Sequence, residues 1–393
     1  MQRRSFLKGA GGVAVLLAGG GVWYAYEQGV FSVGRGPAFE PWNNWQESAD
    51  SPLALVRAAI LAASPHNTQP WLFKVTDSSI DLYLDPTRYP GALDPYLREE
   101  HIGMGCALEN MLLAAPANGY AASATLLPAQ LTAASGYPRP ELVARVTLVP
   151  GPRNRSDLYN AIPQRRTNRN PYRLSALPDN FVDETRHIAQ DETNATIFLF
   201  TAGDDRIRLV DMISMADNGV YADPQVEQGS LPWIRLKWAD VQKFKDGLII
   251  DEFGESQFTA AMRKTLPLSA ARFALRHKLL PVTSYREILE ATPLFGVIAV
   301  RDRYDREQCL TAGRIWQRAH LFATVNGVAG RPVNEAVELI DHQRWLKQEP
   351  DAFNALQDVI GDHTWQPTFM FRLGYPVRQV AHSPRRSMQD VMI

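Results

Sequence analysis

The stretch Gly103-Met104-Gly105-Cys106-Ala107-Leu108-Glu109-Asn110-Met111-Leu112-Leu113-Ala114-Ala115-Pro116-Ala117-Asn118-Gly119 belongs to a helix that has to be buried. From Ala107 to Ala115 it is apolar nearly all round, and such a helix has no face to offer to water. It starts near Arg98 and stops at Gly119, a residue type that ends helices by turning left-handed. The pattern returns 208 positions later: Gly105 matches Gly313, Leu113 matches Leu321, Ala115 matches Ala323, Asn118 matches Asn326 and Gly119 matches Gly327. Matches inside two helices and at both helix ends imply an internally duplicated chain, with two similar halves facing each other around a pseudo-twofold axis.

Working outward, Pro52 to Ala63 is a helix by apolar spacing, and Leu72 to Leu84 alternates as two strands around a turn near Asp77-Ser78-Ser79. Glu141 to Pro150 is a strand, and Gly151-Pro152 marks a boundary. The pattern restarts with a helix over Leu158 to Arg166 and a strand over Ala195 to Phe200. Leu294 to Val300 is a buried strand, Phe369 to Gly374 another, and Ser383-Pro384-Arg385-Arg386 a basic tail. Between the matching parts of the two halves lies an insertion, 204–285, with Trp233, Trp238, an Asp246-Gly247-Leu248 turn and a basic helical stretch from Ser269 to Leu280. It shows no catalytic motif and reads as a helical cover or lid. The expected class is α+β: a leader and tether over 1–45, a first half over 46–150 and a second half over 151–393.

The 393 residues carry 41 basic and 42 acidic side chains, a net charge of −1. That excludes a general nucleic-acid coat, because no excess of cations is available to neutralise phosphates. Cys106 and Cys309 are too few for a disulfide framework or a thiolate metal site, and each sits in or beside a helical apolar pattern as a buried thiol. His101, His320, His342, His363 and His382 are scattered without metal-ligand spacing, and no metal is expected. At the N-terminus, Arg3-Arg4-Ser5-Phe6-Leu7-Lys8 precedes a Gly/Ala/Val/Leu run up to Tyr26. A cationic start and apolar core of this kind read as a twin-arginine export signal. No clean small-x-small cleavage site follows, so a cleaved signal and a retained membrane anchor both stay open. Phe31 to Glu47, rich in Gly, Pro and Trp, reads as an irregular tether.

Two segments carry chemistry. Ser64-Pro65-His66-Asn67-Thr68-Gln69-Pro70-Trp71 is dense in donors and acceptors ahead of a rigid Pro-Trp, the rim that a heteroaromatic ring with carbonyls and nitrogens requires. Arg165-Arg166-Thr167-Asn168-Arg169, placed at the end of a helix, offers with Arg385 and Arg386 a grip for a phosphomonoester, since guanidinium holds phosphate bidentately. On the residues alone, plainer roles fit too: the arginines as a solvated face, the loop as a polar turn with Trp71 docked in the core.

Together with Phe73 and Val75 after the loop, Leu108-Glu109-Asn110 and Ala114-Ala115 in the Gly105 helix, and the closing Arg372-Leu373-Gly374-Tyr375-Pro376, these motifs resemble the FMN-dependent nitroreductase family. The chain is most similar to its Acg-type branch, in which one polypeptide mimics the usual dimer. The resemblance covers about Pro52 to Val391 and is most specific over Ser64 to Trp71; within the insertion it reaches only Asp246-Gly247-Leu248. It implies a nitroreductase-like fold and one FMN per chain, because the phosphate clamp survives only in the second half and the ring loop only in the first. It assigns Arg165, Thr167, Arg169, Arg385 and Arg386 to the FMN phosphate, and Ser64, His66, Asn67 and Gln69 to the flavin. Asn334, in Arg331-Pro332-Val333-Asn334, falls at the pyrimidine edge. His66 is expected to hydrogen-bond rather than to donate a proton to substrate.

The function so implied is an exported FMN oxidoreductase that reduces nitro, quinone or similar electrophilic groups. No catalytic side chain is assigned, because the cofactor carries the chemistry. NAD(P)H is scarce outside the cytoplasm, so a quinol or a redox partner is the expected donor. The other expected partners are a small-molecule electron acceptor and the twin-arginine export machinery, with the chain itself monomeric. The location is the periplasm or the outer face of the cytoplasmic membrane. The alternatives are a non-catalytic protein that sequesters FMN beneath the cover, and a membrane-anchored interaction protein without cofactor.

Overall fold

The computed structural model describes residues 23–24, 26–47, 49–252, 260–261, 264 and 284–393. The twin-arginine motif, most of the apolar run behind it and the basic stretch Ser269 to Leu280 lie outside the described residues. Among those described, no helix is long and apolar enough to cross a membrane. The longer helices are α1 (Pro52–Ala59), α2 (Arg98–Ala117), α3 (Gly203–Val220), α4 (Arg306–Val325), α5 (Glu335–Trp345) and α6 (Asp351–Ile360).

Helices α2 and α4 pack together at the centre, each 20 residues long and offset by the same 208 positions at both ends. Their last turns close alike. Asn118 Nδ2 donates to Ala114 O (2.8 Å) and Asn326 Nδ2 to Phe322 O (2.9 Å), and Gly119 and Gly327 follow at φ 83° and 69°. The two helices touch backbone to backbone at the paired glycines. A Cβ on Gly105 would lie 2.0 Å from Leu310 O, and one on Gly313 would lie 1.9 Å from Ile102 O. Only hydrogen at both positions permits that approach. Across the same seam Gln317 Nε2 donates to Asn110 Oδ1 (2.8 Å), and the buried Glu109 carboxylate accepts from Arg314 Nε (3.0 Å) and Arg318 Nε (2.6 Å).

Two antiparallel sheets flank this pair. The first, in order β1-β2-β4-β3, comprises Trp71–Val75, Ser79–Leu84, Glu141–Pro150 and Tyr120–Leu126. The second runs β10 (Ala329–Pro332), β11 (Gln366–Pro376), β9 (Leu294–Val300), β6 (Ala195–Phe200), with β5 (Tyr172–Arg173) on β11; β7 (Ile234–Arg235) and β8 (Leu248–Ile249) form a small parallel pair. Strand β9 is buried at every residue because both its faces are covered. Leu294, Ile298 and Val300 join the core shared with α2 and α4; Phe295, Val297 and Ala299 join a second core with α3, α5 and α6. That alternation is the twofold period of a strand made visible. Mixed helices and antiparallel sheets make the class α+β, as expected from the sequence.

The structure corrects three readings. Residues 31–47 are not an irregular tether: they form one turn at Pro37–Phe39 and a short helix at Glu40–Asn43, and they bury Phe39, Trp42 and Trp45. Burial of those large rings outweighs the turn-prone Gly and Pro around them. The helix expected over Leu158 to Arg166 ends at Ala161, a single tight turn follows at Ile162–Gln164, and Arg165 is extended. Pro163 accounts for this, since it cannot donate to the α-helical ladder. Finally, 383–386 is not a solvated tail: Arg385 is 2% exposed.

Candidate functional site

A cavity of about 1020 Å³ lies between the halves. Its long wall is one face of α2, where Glu99, Ile102, Gly103 and Cys106 line it at helical spacing. Facing them are Trp316 of α4 and Phe369 of β11, whose ring centroids are 5.2 Å apart. These aromatic groups make an apolar middle. The ends are polar, one rich in guanidinium groups and the other in carboxyl groups.

At the basic end the extended run after Pro163 shows why its residues divide as they do. Thr167 bridges to Gly330 of β10, and Asn168 N donates to Gly330 O (3.1 Å). Alternation along this run turns Arg165, Thr167 and Arg169 to the cavity, while Arg166 and Asn168 point elsewhere. Arg385 arrives from the far end of the chain, because 383–393 crosses to the first sheet: Phe73 N donates to Val391 O (2.8 Å) and Ile393 N to Phe73 O (3.0 Å). Trp42 fixes this crossing. Its Nε1 donates to Ser383 O (2.8 Å), and its ring stacks on His382 and lies under the Arg385 guanidinium, 4.7 Å from the ring centroid.

Arg165 Nη2 donates to Leu61 O (3.2 Å) and Arg385 Nη2 to Ala62 O (3.2 Å), carbonyls just beyond α1. Arg165 Nε and Nη1 and Arg385 Nε have no hydrogen-bond partner among the described residues, although both side chains are buried. Burial pushes the Arg165 pKa down to about 10. It also holds Arg385 well below the usual guanidinium value, with the Arg165 charge adding to the effect. Among the described residues one acid lines this end, Glu252, which accepts from Arg169 Nη1 (3.0 Å). Three guanidiniums against one carboxylate leave two positive charges in excess.

The loop after α1 forms the rim. His66, Asn67 and Gln69 all take positive φ (45°, 54°, 54°), which folds the segment tightly against Gly103. Ser64, His66 and Asn67 line the cavity. Burial and the nearby Arg169 charge push the His66 pKa down to about 4, so its ring is neutral and serves as a hydrogen-bonding group near pH 7. Asn67 ties three segments together: its Oδ1 accepts from Arg385 Nη1 (2.5 Å), and its Nδ2 donates to Gly247 O (3.1 Å) and Pro384 O (2.9 Å). Asn67→Ala leaves these groups short of partners and puts a Cβ residue without a capping amide at a left-handed position. The expected loss is about 3 kcal/mol of unfolding free energy, read by urea denaturation. A loss below about 1 kcal/mol would show that the loop and tail are not tied through this side chain.

Of the ten residues singled out from the sequence, eight line the cavity: Ser64, His66, Asn67, Arg165, Thr167, Arg169, Asn334 and Arg385. The structure does not bring Gln69 and Arg386 to it. They brace each other behind the rim, where Gln69 Oε1 accepts from Arg386 N (2.8 Å) and Arg386 Nη1 donates to Gln69 O (3.0 Å). Asn334 reaches the wall with its Oδ1 accepting from Met370 N (2.8 Å). The insertion supplies much of the remaining wall, including Asp217, Tyr221, Glu227, Leu248 and Glu252.

The acidic end was not visible in the sequence. Glu99, Glu335 and Glu338 line it and are each more than nine-tenths buried. In sequence Glu99 reads as an ordinary acid in a first helical turn, and Glu335 and Glu338 as the polar face of a surface helix. A buried lattice stands behind them. Asp341 Oδ2 accepts from Arg98 Nε (2.6 Å), and Asp341 Oδ1 accepts from Arg303 Nη2 (3.0 Å) and from the Tyr304 hydroxyl (2.7 Å).

No family model matches the sequence. Two Mycobacterium tuberculosis proteins, from strains CDC 1551 / Oshkosh and ATCC 25618 / H37Rv and each described as "Putative NAD(P)H nitroreductase", are 30% identical to this chain over 148 residues. The match covers 37% of this chain and 40% of each relative's length. Among solved structures, the FMN-dependent nitroreductase NfnB from Mycobacterium smegmatis, in complex with NADPH, aligns with 60% of this chain and 96% of its own at 13% identity and TM-score 0.37. A nitroreductase with bound FMN from Desulfitobacterium hafniense DCB-2 aligns with 60% of this chain and 97% of its own, at 9% identity and TM-score 0.35.

Proposed function

We propose that the chain is an FMN-binding oxidoreductase of the nitroreductase type, with one cofactor site built from both halves. The observation that carries this reading is the pair Arg165 and Arg385, buried at one end of the cavity with three N–H-bearing nitrogens between them that have no partner among the described residues. An excess of two positive charges there suits the charge of a phosphomonoester, roughly −2 at neutral pH. Thr167 adds a neutral donor, the rim residues Ser64, His66 and Asn67 suit a polar ring edge, and Trp316 with Phe369 suits its apolar face. The partial match to proteins described as NAD(P)H nitroreductases agrees with this assignment. When bound, FMN supplies hydride or electron transfer to an acceptor, while the protein binds, orients and shields it. A cavity at the top of the usual range of about 300–1,000 Å³ leaves room for a second molecule beside the cofactor, which favours catalysis over sequestration.

The same reading takes nitro, quinone or similar electrophilic groups as acceptors. It takes the N-terminal Arg3-Arg4 motif as an export signal and, outside the cytoplasm, a quinol or redox partner as donor. Titration of the apoprotein with FMN is expected to quench flavin fluorescence to a 1:1 endpoint, with riboflavin, which lacks the phosphate, binding at least about 100-fold more weakly. Absence of uptake, or equal affinity for the two, would remove the assignment. Flavin that binds but, once reduced with dithionite, is reoxidised by no nitroaromatic or quinone would leave the sequestering role instead.

A further inference from the structure

The acidic end of the cavity has a chemistry of its own. Between Glu99 and Cys106 of α2 the wall advances about 10 Å at 1.5 Å per residue, and Cys106 already lies within the field of Arg165. Along α2, Glu99 therefore stands about 10 Å from the position next to Arg165.

Three observations bear on what they hold. Glu335 Oε2 and Glu338 Oε2 have no hydrogen-bond partner among the described residues, and both side chains are more than nine-tenths buried on the cavity wall. Glu338 also enters no ion pair among the described residues, and burial together with the Glu99 and Glu335 charges holds its carboxyl well above the usual range. Finally, the site already seats one cation of the chain's own: Arg331 lies over the Tyr285 ring, 5.0 Å from its centroid, and 3.7 Å from Glu335 Oε1, which also accepts from the Tyr285 hydroxyl (2.6 Å). No group of three or more His, Cys, Asp or Glu among the described residues is placed to hold a metal.

We propose that this end is an acceptor subsite for an organic cation, built on Glu99, Glu335 and Glu338, and that it selects electrophilic acceptors bearing a protonated amine or quaternary ammonium group. The proposal rests on the reading of the basic end as the FMN site. An ammonium group favours the ionised form of the Glu338 carboxyl, which burial and the neighbouring acids otherwise oppose, and its alkyl or aryl body fits the apolar middle. Neutral acceptors satisfy only the second requirement, and anionic ones oppose the first.

The test compares three probes of one ring type on the FMN-loaded protein: (4-nitrobenzyl)trimethylammonium, 4-nitrobenzyl alcohol and 4-nitrobenzoate. Binding is read by calorimetry and by the change in the bound-flavin absorption band, without turnover. The cation is expected to bind at least ten-fold more tightly than the alcohol and the benzoate more weakly than either. In Glu338→Gln the preference for the cation falls at least ten-fold, with FMN uptake unchanged and the melting temperature no lower than the parent's. Equal affinities for cation and alcohol in the unmodified protein would overturn the proposal, and this comparison needs no variant to fold. A preference retained in full by a folded Glu338→Gln would also overturn it. Normal FMN uptake without any cation preference sinks the subsite alone; failure of FMN uptake sinks the cofactor reading instead.

Discussion

Gly105→Ala is expected to lower the unfolding free energy by about 3 kcal/mol or more, although alanine is the better helix former by about 1 kcal/mol. The new Cβ would meet Leu310 O at 2.0 Å and Gly313 Cα at 3.0 Å. Both are backbone atoms of a 20-residue helix, so no side chain can swing aside, and α2 and α4 must separate along their shared core. Gly313→Ala meets Ile102 O at 1.9 Å and should cost as much. The double variant should cost clearly less than the sum, because one separation relieves both clashes. Gly219→Ala is the control. It is exposed near the end of α3, its Cβ would find only Leu339 Cδ1 at 3.9 Å, and it should be neutral or stabilising by up to about 1 kcal/mol. Urea denaturation of the four variants checks the set, and a Gly105→Ala protein as stable as the parent would refute the close backbone approach.

Arg165→Met is expected to weaken FMN binding at least about 100-fold, and the Arg165→Met, Arg385→Met pair to abolish it. Losing one or two charge-assisted hydrogen bonds from a buried guanidinium is worth about 3 kcal/mol, and each 1.4 kcal/mol is tenfold in affinity. Stability of the apoprotein should move the other way. A base whose folded pKa is depressed is destabilising in its protonated form at every pH below that value. For Arg165, pushed down to about 10 by burial, that includes the whole neutral range. Removing it takes away a buried charge that faces Arg385, at the loss of the bond to Leu61 O and of an attraction to Glu252 that burial outweighs. The apo Arg165→Met protein should therefore melt no lower than the parent. Fluorescence titration and thermal melting of the same preparation read both effects. An unchanged FMN affinity would remove the phosphate assignment, and a fall of several degrees in the apo melt would show that Arg165 is a structural strut instead.

The two expectations differ in how far the sequence anticipated them. The equivalence of Gly105 and Gly313 was legible, since they occupy matching places in two matched helices, but their backbone contact came only with the structure. The clamp was half legible: arginine runs suit phosphate, but the residues alone equally suit a solvated face. Its geometry came from Pro163, which turns an expected helix into an extended run and so selects Arg165, Thr167 and Arg169 over Arg166. Gln69 and Arg386 have the right chemistry in the right segments, yet they satisfy each other and never reach the cavity. Residues 31–47 misled because turn-forming composition hides the burial of Trp42 and Trp45.

Periodicity, helix stops and the offset of 208 positions are read along the chain, and from them the chain itself specifies α1, the matched helices α2 and α4, most strands of both sheets and the duplication, but not α5 and α6. Charge state and pairing are not local. Asn67 meets Arg385 across 318 positions, and Glu99 of α2 shares a wall with Glu335 and Glu338 of α5. Whether an arginine or a glutamate is a solvated ion or an unpaired charge facing a cavity depends on how much water the fold excludes around it, and on which remote group it meets there. That exclusion exists only once the halves have closed on one another.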